Sequence, residues 1–87
     1  MAVVRITAAA QEQVEALPIT IHARVLAVLL RLESWPNVSG AKPLSGDLAG
    51  QFRVRTGDYR VQFMVTGKGR EALVTVIKVG KRDRFYD

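Results

Sequence analysis

The chain has 87 residues, 48% of them apolar, which suits one small domain around one core; residues 1–87 are read as that single domain. With no Cys and one His it has no disulfide, no thiol chemistry and no ready metal-ligand set, so neither a metal nor another cofactor is expected. The net charge of +5 sits entirely in residues 42–87, where ten Lys/Arg face five Asp/Glu, while residues 1–41 balance three Arg against three Glu. That asymmetry points to a polyanion or an acidic protein partner, the alternative being a solubilising surface.

Residues 2–7, AVVRIT, are short and β-branched and read as a first strand, with Thr7 placed to cap the next element. Residues 8–17 put Ala10, Val14 and Leu17 on one face of a short amphipathic helix. Pro18 ends that helix and is suited to start another. Residues 19–34 read as the long helix, with Ile21, Val25, Val28, Leu29 and Leu32 as a core stripe. Ile19, Ala23, Leu26 and Leu30 form a second apolar strip. Either the helix is clasped between the sheet and the first helix, or the spare strip binds a partner. His22 reads as a surface or capping residue, since nothing near it in sequence forms a catalytic dyad.

Trp35-Pro36-Asn37 ends the long helix. Residues 36–50 hold two Pro and three Gly and form an irregular connector that Leu44 and Leu48 can anchor. Its glycines are not a phosphate loop, because the Lys-Ser/Thr ending and the following helix are missing. Residues 51–65, QFRVRTGDYRVQFMV, alternate on both sides of Gly57-Asp58, the pattern of a two-residue hairpin. In that register Thr56 faces Tyr59, Arg55 faces Arg60, Val54 faces Val61 and Phe52 faces Phe63. One face is then apolar and the other carries Arg53, Arg55, Arg60 and Gln62. Opposed like charges destabilise a sheet and invite an anion. A second turn at Gly67-Lys68-Gly69-Arg70 leads to the last strand, residues 72–79. With Lys68-Gly69 as loop centre, Phe63 faces Val74, Val61 faces Val76, Arg60 faces Ile77 and Gln62 faces Thr75. Met64, Leu73, Ile77 and Val79 then rim the basic face. The tail adds Lys81, Arg82, Arg84 and Tyr86.

No Ser-His-Asp or Cys-His set is present, and no carboxylate pair shares a site. Zinc-finger and basic-zipper motifs are absent. No apolar run reaches the roughly 20 residues of a membrane span, and the N-terminus does not read as a signal peptide. No membrane association is expected, and the cytoplasm suits a chain without cysteine. What remains is Arg53, Arg55, Arg60, Arg82 and Tyr86, with Lys81 and Arg84 near. That set suits phosphodiester chemistry. Arginine forks bind phosphate oxygens, cations stabilise charge developing on phosphorus, and a tyrosine among cations can titrate low enough to accept a proton. A basic sheet face serves docking as readily as catalysis.

The stretch KPLSGDLAGQFRVRTGDYRVQFMV, followed by VIKVGKRDRFY, resembles the RelE/ParE superfamily of type II toxin–antitoxin toxins. The likeness spans nearly the whole chain: strand, two helices, a Leu-x-Gly-x-Leu-x-Gly connector, three strands and a Gly-x-Arg-x-x-x-Tyr tail. It implies an α+β fold, RelE-like and microbial-ribonuclease-like, with two N-terminal helices packed on a small antiparallel sheet in β-α-α-β-β-β order. For the RelE branch it implies a ribosome-dependent endoribonuclease that cleaves mRNA in the A site, leaving a 2′,3′-cyclic phosphate. The partners implied are a cognate antitoxin, in a toxin–antitoxin hetero-oligomer, and the ribosome with its mRNA. Arg60, Arg82 and Tyr86 match catalytic positions. Arg53 and Arg55 match the strand's basic pair, and with Lys81 and Arg84 are expected to bind RNA. Lys81 departs from the pattern, since many relatives carry a catalytic His there, which leaves Tyr86 as the candidate base. Ile19, Ala23, Leu26 and Leu30 are the expected antitoxin strip. The alternative is a ParE-like inhibitor of DNA gyrase without nuclease activity. Keeping Arg53, Arg55, Arg60, Arg82 and Tyr86 together favours the RelE branch.

Overall fold

The computed structural model describes residues 2–81, with Arg70 described by its backbone alone. The elements run β1 (Val3–Ile6), α1 (Ala8–Glu15), α2 (Ile19–Arg31), β2 (Lys42–Pro43), β3 (Gln51–Thr56), β4 (Tyr59–Thr66) and β5 (Leu73–Lys81). Both helices lie on one side of a five-stranded sheet of order β1-β5-β4-β3-β2. The helix-helix-sheet order is the expected one, with two differences. A two-residue strand, β2, forms inside the connector and pairs with β3. The sheet is mixed rather than antiparallel, because β1 runs parallel to β5. A helical pair between β1 and the hairpins returns the chain far enough for that parallel docking.

Local chemistry sets the helix ends. The Thr7 hydroxyl accepts the Ala10 N–H at 3.1 Å, capping α1. The Pro18 carbonyl accepts the His22 N–H at 2.8 Å and opens α2. After Arg31 the helix tightens into a 3-10 turn, Leu32–Ser34. Val25, Val28 and Leu32 are fully packed, while Ile21 and Leu29 are partly so. The second strip is outside: Ile19 is 86% exposed, Leu30 68% and Leu26 42%, and Ala23 is exposed too. The helix is therefore not clasped, and of the two arrangements open in the sequence only the free strip stands.

The first hairpin has the expected register at every pair from Phe52–Phe63 to Thr56–Tyr59. Gly57 has φ +60° and no non-glycine residue among the described ones has positive φ, as a type II′ turn requires. Phe63 is fully buried and its ring lies 5.8 Å from Phe52 and 5.6 Å from Trp35, closing the helix end onto the sheet. Burying such a side chain contributes about 1.5–3 kcal/mol.

The second hairpin differs from expectation. The last pair is Thr66–Leu73, so residues 67–72 form the loop, which includes a 3-10 turn at Gly69–Glu71. Phe63 pairs with Val76 rather than Val74. Between Phe63–Val76 and Gln62–Lys78 one residue, Ile77, is left over as a bulge. Beyond it Val61 pairs with Val79 and Arg60 with Gly80. Val79 is consequently buried in the core and does not rim the basic face. Apolar residues occupy both parities of this strand, so alternation alone did not fix its register.

Candidate nucleic-acid interface

Cross-strand partners share a face, so the register maps the surface turned away from the helices. Arg55 stands opposite Arg60, and Arg53 opposite Gln62. Pairing extends the second row at both ends, since Lys42 faces Arg53 and Lys78 faces Gln62. Lys42, Arg53, Gln62 and Lys78 thus form one line across four strands, with Arg55 and Arg60 in the next row. At about 4.8 Å per strand the line spans roughly 14 Å. The Gln62 amide donates to the Gln51 side chain, which ties the middle of the line to β3. Arg60 is buried, at 5% exposure, whereas Arg55 is exposed and Arg53 half-buried. A desolvated guanidinium beside two more accessible ones suits an anion that approaches from the open side.

The structure brings together Arg53, Arg55 and Arg60, as the sequence predicts. It separates Lys81, which pairs with Tyr59 and so belongs by register to the helix side. Arg82, Arg84 and Tyr86 lie outside the described residues. Ile19, Ala23, Leu26 and Leu30 run along the outer face of α2, on the opposite side of the sheet from the arginines. Sequence reasoning missed Lys42 and Lys78. Lys42 sits on a strand too short to show alternation, and Lys78 falls just past the bulge. Among the described residues no group of three or more His, Cys, Asp or Glu could hold a metal ion. No helix among them is long and apolar enough to cross a membrane.

Two helices on one face of a mixed sheet, with a basic opposite face, define a small α+β protein. No family model and no curated protein sequence matches the chain, but solved structures do. The toxin–antitoxin complex RelBE2 of Mycobacterium tuberculosis includes a chain 30% identical to this one, with a TM-score of 0.79 over 93% of this chain and 98% of that one. The archaeal RelE–RelB complex of Pyrococcus horikoshii matches at 27% identity and TM-score 0.71, over 95% and 97% of the two chains. The isolated RelE toxin of E. coli shares the fold at 18% identity and TM-score 0.76, over 99% and 89%. This chain belongs to the RelE/ParE superfamily of toxin–antitoxin toxins.

Proposed function

We propose that this toxin is a ribosome-dependent endoribonuclease that cuts mRNA in the ribosomal A site. The observation that carries the reading is the open sheet face, where Arg53, Arg55 and Arg60 share one surface with Lys42 and Lys78. RNA brings its own nucleophile, the 2′-OH, so the protein has to align it, move two protons and stabilise charge on phosphorus. Arg53 and Arg55 hold the mRNA backbone. Arg60, with Arg82 of the tail motif, stabilises the scissile phosphate. Tyr86 as phenolate takes the 2′-OH proton while the 2′ oxygen attacks phosphorus. The bond to the 5′ oxygen breaks; Arg82 stabilises the charge on that oxygen as it leaves, and a proton from water completes the 5′-hydroxyl. The products are a 2′,3′-cyclic phosphate and a 5′-hydroxyl, and no metal takes part.

Primer extension on programmed ribosomes tests this. Arg60→Ala, Arg82→Ala and Tyr86→Phe should each slow cleavage about a hundred- to a thousandfold, the usual loss for one transition-state donor. Wild-type rates in Arg82→Ala and Tyr86→Phe, or induced cells that show DNA damage before translation stops, would overturn the assignment and favour a gyrase target.

The partner that neutralises this activity is a cognate antitoxin, joined to the toxin in a hetero-oligomer. Support comes from the exposed strip on α2, and from the neighbours of Mycobacterium and Pyrococcus, which are toxin–antitoxin complexes. Ile19, Ala23, Leu26 and Leu30 receive its apolar anchors.

A further inference from the structure

The edge of β5 opens halfway along. β1 pairs with it only as far as Ile6–Val76, and the Thr7 N–H still reaches the Val76 carbonyl at 3.0 Å. From there α1 takes over, with Gln13 Oε1 accepting the Val79 N–H at 2.7 Å. The Gln13 carbonyl stands where the next carbonyl of a neighbouring strand would be, and its NH2 group is left to donate elsewhere. Around this tie lies a cleft of about 430 Å³, lined by Gln13, Leu17, Pro18, Tyr59, Lys78 and Lys81 among others. Leu17, Pro18 and Val79 make it largely apolar, and the half-buried Tyr59 adds a ring. Lys81, the cross-strand partner of Tyr59, brings one cation. Lys78 brings another and belongs to two surfaces at once: it lines the cleft, yet its register row is that of Arg53 and Gln62. Lys78 thus connects the cleft with the basic line on the open face.

Its size falls within the roughly 300–1,000 Å³ of small-ligand pockets. An apolar wall, an aromatic ring, an amide donor and two cations match one ligand class, a nucleoside phosphate. The ring and apolar wall take the base, the amide meets an acceptor on its edge, and the lysines take phosphate. An acidic peptide would use the cations and leave the ring and wall idle. We infer that this cleft is a second RNA site, seating one nucleotide of a single strand whose adjoining phosphates follow the Lys78–Arg53–Lys42 line. The inference rests on the reading of this toxin as an RNA-cutting protein, and it names where the strand goes beyond the arginines.

Titrating the ¹⁵N-labelled full chain with 5′-AMP tests it without any substitution. The Gln13 side-chain amide and the backbone amides of Tyr59 and Gly80 should shift, and adenosine lacking the phosphate should move them less. Shifts confined to Arg53, Arg55 and their neighbours would overturn the site. So would a hexaglutamate peptide that moves the cleft resonances when 5′-AMP does not, which would give the cleft to a protein partner. A short 2′-O-methyl RNA, which lacks the attacking hydroxyl, adds a binding arm read by fluorescence anisotropy. Tyr59→Ala should weaken it about five- to a hundredfold while Tyr59→Phe binds like wild type. Lys81→Ala should lower the salt slope by about 0.7. Wild-type affinity and slope in both alanine variants would overturn the inference. A wild type that binds 5′-AMP in the cleft yet leaves programmed mRNA intact sinks only the ribonuclease reading. One that cuts mRNA with silent cleft resonances sinks only the second site.

Discussion

Gly67 has φ +77°, and a Cβ built on it would lie 2.5 Å from the Glu71 carbonyl oxygen. Gly40 has φ +83° and open space around the same position. Alanine at Gly40 should therefore cost only the strain of a positive φ, about 1–2 kcal/mol. Gly67→Ala should cost more, because backbone has to move as well. Urea unfolding of the two variants checks this: equal midpoints would mean that the loop yields without resistance. At the same scale, the opposition of Arg55 and Arg60 was legible from the sequence, because Gly57-Asp58 allows one register and parity does the rest. Lys42 was not legible. A two-residue strand has no period, and its pairing with Arg53 exists only once the connector folds back along β3.

The two hairpins show why one element could be read and its neighbour could not. The first has a turn that demands glycine at one position and apolar residues on a single parity. The second has two positive-φ glycines, Gly67 and Gly69, in a loop of six residues, and a strand apolar on both parities. Only tertiary packing selects its register, by burying Val74, Val76 and Val79 together and leaving Ile77 as the odd residue. The bulge makes a sharp prediction. Deleting Ile77 keeps every cross-strand pair and restores plain alternation, so the variant should fold. Deleting Thr75 shifts half the strand against the core and should not. Thermal melts followed by circular dichroism separate the two. If both deletions unfold the protein alike, the bulge is not the slack described here.

For the molecule as a whole, the basic face and the apolar strip on α2 lie on opposite sides of the sheet. One antitoxin segment can reach both only by passing around an edge. Affinity should come mainly from the strip, since rim ion pairs contribute little once salt screens them. Leu26→Glu should then weaken antitoxin binding at least about tenfold, the effect of a charge forced against an apolar anchor, and leave ribosomal cleavage unchanged. Calorimetry at low and high salt measures it, and unchanged affinity at both would remove the strip from the interface. The sequence displayed this strip as an excess of apolar residues, but only the packed structure decides that it faces outward. Of the expected site, the strand arginines were legible because alternation places them on one face. The cleft beside Gln13 was not, because its walls come from segments far apart in sequence, tied by a Gln13–Val79 hydrogen bond that spans 66 positions.

The parallel contact between β1 and β5 also has a consequence in time. Val3 pairs with Leu73, so the first strand has no partner until seventy further residues have been joined. At about 5–20 residues per second, that wait is roughly 4–14 s of synthesis. The basic surface cannot be complete sooner, because Lys78 lies on the strand that β1 awaits. Loop closure over such a separation is also slow compared with helix or hairpin formation. The sheet of a nascent chain thus stays incomplete until β5 has been made. The order of the strands makes the basic face one of the last features of the fold to form.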